Sequence, residues 1–155
     1  MNYSKAFDEV EHSKLFAKIL AADVHPLYAR LLLCTYRHQS AQVCWDEKLS
    51  AKFGIRNGVR QGAVLSPVLF NLYTNELFKL LEEAGDGGRI RGIFYGLFGY
   101  ADDLAIVCNT LPGLQRMISI TSQYAASHNI VFSTNPIIAK SKTKSMAFGL
   151  KNVPV

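Results

Sequence analysis

The stretch opened by Ser66-Pro67 and carried on by Leu69, Leu72, Tyr73, Leu77, Leu80 and Leu81 constrains the chain more than any other. Its apolar residues recur three and four positions apart, the spacing of one helix face, so the helix has to bury that side against something. Ser66 is placed to accept from the orphan N–H groups at the helix start, and Pro67 falls in the first turn, where its missing donor costs nothing. Gly85, in the run Ala84-Gly85-Asp86-Gly87-Gly88, can take the left-handed conformation that ends a helix. With 155 residues, 49% hydrophobic and 19% charged, the chain has the material for one domain with a substantial core, and disorder is excluded for most of it.

Around that helix the periodicity alternates. Leu15, Phe16, Ile19 and Leu20 repeat at helical spacing from Ser13 to Ala22, and Leu27, Leu31, Leu32 and Thr35 repeat the pattern after Pro26. Ser40 to Cys44 and Leu49 to Ile55, separated by Asp46-Glu47-Lys48, predict a hairpin. A second hairpin is expected from Ile90 to Leu97 and Asp103 to Cys108, then a helix from about Pro112 to His128, then strands at Ile130 to Ser133 and Ser145 to Phe148. Helices mixed with largely antiparallel strands make the class α+β.

Lys+Arg total 17 against 12 Asp+Glu, a formal charge of +5 that favours a polyanionic partner without requiring one. The distribution is more pointed. Beyond Asp103 there is no acid, while Arg116, Lys140, Lys142, Lys144 and Lys151 follow; between Glu47 and Glu76 the only charges are Lys48, Lys52, Arg56 and Arg60. Solvated surface and nucleic-acid contact both fit these runs. Cys34, Cys44 and Cys108, odd in number and set in apolar surroundings, predict buried reduced thiols of an intracellular protein. His12, His25, His38 and His128 have no ligand spacing and are assigned to surface or capping positions. No apolar signal core follows Met1, and the long uncharged run after Arg116 is too polar to span a bilayer, so a soluble chain without membrane contact is expected.

Two segments carry candidate chemistry. Tyr100-Ala101-Asp102-Asp103 sets adjacent carboxylates between apolar strand segments. Like charges this close need solvent or a cation, and hard ions such as Mg²⁺ take carboxylate oxygens; a plain turn is the alternative. Gly58-Val59-Arg60-Gln61-Gly62 sits just before the Ser66 helix. Glycines let backbone approach a ligand, Arg meets phosphate, and Gln bonds a sugar or base edge; an ordinary glycine-rich loop is the alternative.

Taken in order, Asn2-Tyr3-Ser4-Lys5-Ala6-Phe7-Asp8, Gly58 to Pro67 with Leu69-Phe70-Asn71-Leu72-Tyr73, Tyr100-Ala101-Asp102-Asp103 and Lys140-Ser141-Lys142-Thr143-Lys144 resemble the palm motifs of reverse transcriptases of non-LTR retrotransposons. The resemblance covers nearly the whole chain and is most specific in the YADD box and the RQG to LSP to FN segment. It implies a two-metal nucleotidyl transferase that adds dNTPs to a DNA primer on an RNA template, with Asp102 and Asp103 holding two Mg²⁺ ions. It further implies that Phe7 packs under the incoming sugar and excludes a 2′-hydroxyl, and that Gln61, Gly62 and Tyr100 line the nucleotide and template pocket. In the same way Arg60 contacts phosphate or template, and Lys142 lies near the triphosphate as a proton donor.

The sequence departs from the family pattern at Asn2, where that pattern has a third metal-holding aspartate; the amide keeps the shape and loses the charge. Asp8 and Glu9 lie too far along the motif to replace it. A single partial domain is expected over 1–155, palm with part of the fingers, lacking the upstream fingers and a thumb and leaving the acid-bearing hairpin with an unpaired edge. That predicts a chain inactive by itself. The alternatives are a non-catalytic nucleic-acid-binding remnant using Arg56, Arg60, Lys140, Lys142 and Lys144, or a retroelement fragment without function.

Overall fold

The structure, a computed structural model, describes residues 3–132, 141 and 143–148. Asn2, Lys140 and Lys142 lie outside the described residues, as does Ser133. In chain order the elements are β1 (Tyr3–Ser4), α1 (His12–Ala21), α2 (Pro26–Arg37), β2 (Ser40–Ala41), β3 (Cys44–Trp45), β4 (Lys48–Leu49), β5 (Phe53–Gly54), α3 (Ser66–Glu83), β6 (Arg89–Ile90), β7 (Ile93–Phe94), β8 (Leu97–Tyr100), β9 (Asp103–Ile106), α4 (Leu111–Ser127) and β10 (Val131–Phe132). The class is α+β, with helices packed among short antiparallel ladders.

The long helix α3 organises the interior. Of the predicted stripe Leu69, Tyr73, Leu77 and Leu81 are buried, whereas Leu80 is exposed and Leu72 half-buried; Phe70 and Thr74, outside that stripe, are buried as well. The N-terminal half joins Val10, Leu15, Ile19, Ala29, Tyr36 and Val59 in one cluster, with α1 and α2. The C-terminal half, through Leu77 and Leu81, joins Leu97, Leu104, Met117 and Tyr124 in a second. Each fully buried Leu or Ile stabilises the fold by about 1.5–3 kcal/mol relative to exposure, so α3 is anchored along its length. Gly85, at φ +75°, takes the left-handed position after the helix.

Ser66 does not cap the helix. Leu65 is the N-cap without a side-chain bond, and the buried Ser66 hydroxyl donates to the Arg60 carbonyl at 2.5 Å. Two tight turns before it, Ala63 N–H to Arg60 O and Ser66 N–H to Ala63 O, bring that carbonyl within reach. Helix α4 has the side-chain cap instead: Thr110 accepts from Gly113 N–H at 3.2 Å, with Met117, Thr121 and Tyr124 on its buried face.

The first hairpin forms as expected. β3 pairs β4 across Asp46-Glu47, both at positive φ, and β2 pairs β5 beneath. The second does not run as one strand from Ile90 to Leu97. Arg91 and Gly92, at φ +51° and +82°, fold β6 back onto β7, and the partner of β9 is β8. β1 pairs β10, while Ser145 to Phe148 is not strand. In α2 the buried positions are Ala29 and Tyr36, with Leu32 half-buried, and Leu27 and Leu31 face outward; the helix is apolar nearly all round, so spacing did not identify its core face. The cysteines are free, but Cys34 and Cys44 are exposed and Cys108 half-buried, because α2 turns Cys34 outward and Cys44 sits on the thin first hairpin. His25 caps α2, accepting from Leu27 N–H. Among the described residues no helix is long and apolar enough to cross a membrane.

Candidate active site

The carboxylate pair sits at the tip of the β8–β9 hairpin. The register runs Leu97↔Ile106, Phe98↔Ala105, Gly99↔Leu104 and Tyr100↔Asp103, leaving Ala101 and Asp102 as the turn. Facing residues share a side of the ladder. Leu97, Gly99, Leu104 and Ile106 therefore form one face, and Leu97 and Leu104 are buried in the second core cluster. Gly99 is seated directly on α3: a Cβ there would stand 2.6 Å from the Phe78 ring. The opposite face carries Phe98, Tyr100, Ala105 and Asp103, with Tyr100 85% exposed. Asp102 is half-buried in the turn and Asp103 exposed at the first strand position. Ala101 holds φ +51°, an uncommon conformation for a residue with a side chain, so the packed hairpin imposes a bent tip.

The glycine-flanked loop is fastened to the segment before α1. Val59 N–H donates to Phe7 O at 2.7 Å and Gly58 N–H to Val10 O at 2.8 Å, while Glu11 bridges Asn57. Gly58 makes this approach possible, since at φ +91° a Cβ would meet Asp8 O at 2.9 Å and Phe7 O at 3.1 Å. His12 Nε2 lies 2.7 Å from Gly58 O and packs edge-on to Tyr36, pinning the loop from the other side. Gln61 donates to the Asp8 carboxylate at 3.1 Å. A carboxylate only accepts, so this bond turns the Gln61 NH₂ toward Asp8 and leaves its amide oxygen for another partner. Phe7 is half-buried, its ring 5.0 Å from that of Phe70 on α3. A cleft of about 620 Å³ opens beside the loop, lined by Asp8, His38, Gln39, Ser40, Asn57, Arg60 and Gln61 among others.

Of the sequence-predicted residues, Phe7, Arg60, Gln61 and Gly62 thus share one loop pair, and Tyr100, Asp102 and Asp103 share one hairpin tip. The two are held by a common ruler. Phe7 packs on Phe70 and Gly99 on Phe78, eight positions apart on α3, or about 12 Å along the axis. Asn2 and Lys142 lie outside the described residues. Sequence reading missed His12 and the His38, Gln39, Ser40 and Asn57 lining, because their proximity to the loop arises from long-range pairing with no local signature.

Among the described residues no group of three or more His, Cys, Asp or Glu side chains is disposed to hold a metal. Asp102 and Asp103 offer two carboxylates, the donor set Mg²⁺ uses when substrate phosphates and water complete its shell.

The family model described as reverse transcriptase (RNA-dependent DNA polymerase) matches residues 1–154. The chain is 28% identical over 124 residues to the retrovirus-related Pol polyprotein from the type-2 retrotransposable element R2DM of Drosophila melanogaster, covering 80% of this chain and 12% of the relative. It is 30% identical over 129 residues to the transposon TX1 uncharacterized 149 kDa protein of Xenopus laevis, covering 82% and 10%. A third relative, the Pol polyprotein from the type-1 element R2 of Popillia japonica, is 29% identical over 125 residues, covering 80% and 21%. The chain thus spans between a tenth and about a fifth of the length of these relatives. With the match running from end to end and the paired acids on a helix-backed hairpin, the chain belongs to the reverse transcriptase (RNA-dependent DNA polymerase) family, in the branch carried by non-LTR retrotransposons.

Proposed function

We propose that this chain is the palm of an RNA-templated DNA polymerase that joins dNTPs to a primer 3′-hydroxyl, with its chemistry at the β8–β9 tip. The observation that carries this reading is the Asp102–Asp103 pair on a hairpin whose inner face is seated on α3. Two Mg²⁺ ions bound there with the triphosphate would favour the ionised 3′-hydroxyl and neutralise charge on the leaving pyrophosphate. Asp102 and Asp103 supply the anionic oxygens for them. Phe7, held against Phe70, presents a fixed ring under the incoming sugar and excludes a 2′-hydroxyl. Gln61, oriented by Asp8, offers its amide oxygen to a sugar hydroxyl. The exposed Arg60 meets phosphate or template, and the exposed Tyr100 ring lines the nucleotide and template pocket with Gly62. By family resemblance, Lys142 gives a proton to pyrophosphate, and Asn2 stands where a third carboxylate belongs.

The amide at position 2 removes one anionic oxygen from the metal set, so this reading makes the chain inactive by itself. Primer extension on an RNA template with Mg²⁺ or Mn²⁺ tests both points. Asn2→Asp is expected to restore DNA synthesis, about 10²-fold above the unchanged chain, the scale of one charge-stabilising group, and Asp102→Asn to abolish what it restores; efficient synthesis by the unchanged chain would refute its inactivity. Synthesis that survives Asp102→Asn would overturn the reading.

A further inference from the structure

We infer that the β2–β5 hairpin and the cleft at its base form a track for unpaired nucleotides, with Trp45 as its stacking platform. The inference deepens the polymerase reading, since the strand it takes is the single-stranded template ahead of the site. Trp45, the chain's only tryptophan, is 82% exposed at the hairpin tip. In the β3–β4 register it stands opposite Lys48, so the indole and that ammonium share one face. Lys52, Arg56 and Arg60 follow toward the base, all exposed, and Phe53 is exposed on β5. From Ser40 to Gln61 there are four cations to two acids, and both acids, Asp46 and Glu47, are confined to the turn.

An exposed aromatic ring among cations matches one partner chemistry. Bases of any sequence stack on such a ring while phosphates run past the Lys and Arg groups. A protein partner fits less well, because lysine is depleted at protein interfaces. The five residues from Trp45 back to Ser40 span at most ~16 Å, which joins the ring at the tip to the base of the hairpin. Ser40 and Ile55 then line the cleft of about 620 Å³, where Gln39, Asn57 and Gln61 add amide groups for base edges and Arg60 a guanidinium.

The test is fluorescence titration of the full chain with oligo(U) or oligo(dT) of ~12 nucleotides, within the usual site sizes, in chelator so that nucleotidyl transfer cannot run. Failure of primer extension thus leaves this result untouched, and the reverse. Both oligonucleotides are expected to quench Trp45, with affinity falling as salt rises; a response to oligo(U) alone would mark a 2′-hydroxyl requirement within the same track. By anisotropy of a dye-labelled oligonucleotide, Trp45→Ala is expected to weaken binding at least ~5-fold and Trp45→Phe to retain it, while Lys48→Gln with Lys52→Gln flattens the log–log salt slope by about 1.4. Circular dichroism confirms that the variants are folded. Oligonucleotide binding, seen by anisotropy, that leaves Trp45 emission unchanged would overturn the proposal. So would undiminished binding by Trp45→Ala, or no binding at low salt, which would leave the hairpin as a protein contact.

Discussion

Replacing Gly58 with alanine tests whether the glycine-flanked loop is built on close backbone approach. Two costs arise at this position. At φ +91° a side chain is strained by ~1–2 kcal/mol wherever it points. The added Cβ also meets Asp8 O at 2.9 Å and both Asp8 Cα and Phe7 O at 3.1 Å. These atoms are backbone, unable to swing away as a side-chain end would, so the overpacking adds ~1–3 kcal/mol. Gly62 is the internal control: at φ +80° it pays the same conformational cost, but a Cβ there meets nothing within 4 Å. The expected loss is therefore ~2–5 kcal/mol for Gly58→Ala and ~1–2 for Gly62→Ala.

Urea unfolding followed by far-ultraviolet circular dichroism measures both, provided the two variants share the wild-type m-value. In thermal melts the difference between them corresponds to ~2–4 °C per kcal/mol for a chain of this size. Equal losses at the two glycines, or a Gly58→Ala loss below ~1 kcal/mol, would show that the loop does not rest on Phe7 and Asp8 as described. A displaced loop would also part Gln61 from Asp8, so Gly58→Ala should weaken nucleotide use as well as stability.

Acid should destabilise the fold in two stages. Burial holds the His128 imidazole below its ordinary 6.5, so the unfolded chain takes up a proton first and stability present above that value is lost as pH falls through it. The hydrogen bond from Lys18 holds Glu76, and that from Lys14 holds Glu11, below the usual 4.5, extending the loss further into acid; a urea midpoint that rises between ~pH 7.5 and ~pH 5 would refute the assignment. Gly99→Ala, whose Cβ would stand 2.6 Å from Phe78, should cost ~1–3 kcal/mol, and adding Phe78→Leu should recover part of it. Strict additivity of the pair in urea unfolding would show that the hairpin is not seated on that ring.

The features legible in the sequence are those fixed by local chemistry. The α3 stripe, its Gly85 terminus and the turn at Asp46-Glu47 each follow from residue type and spacing, and each appears in the structure. Those that escaped depend on contacts distant in sequence. Ser66 has the composition of a cap, yet its hydroxyl is drawn to Arg60 O because the preceding turns bring that carbonyl under the helix. The run from Ile90 to Leu97 reads as one apolar strand until Arg91 and Gly92 take positive φ, a choice that gives β9 a different partner. In α2, with Leu27, Tyr28, Ala29, Leu31, Leu32 and Leu33 nearly encircling the axis, only packing against α1 decides that Ala29 and Tyr36 go inward. The acid pair and the RQG loop were visible as motifs. Their attachment to opposite stretches of one helix was not.

That attachment relates two candidate segments about forty residues apart in sequence to one element. The loop and the acid hairpin rest on α3 through Phe70 and Phe78, and between these rings the helix turns Tyr73, Thr74 and Leu77 inward. Thr74 strengthens the join: its buried hydroxyl returns to the Phe70 carbonyl at 3.0 Å, so a polar group sits between the two apolar clusters without an unmet bond. Tyr124 on α4 closes the same level, donating to Tyr73 O at 2.8 Å, and the ring of Tyr124 stacks on His128. A straight helix is stiff along its axis, whereas the loop and hairpin are short, bent and individually weak. The spacing of about 12 Å along α3 between the two anchor rings is therefore set by the most rigid element present, and the strained tip at Ala101 persists because the ladder behind it is packed on that element rather than on another loop.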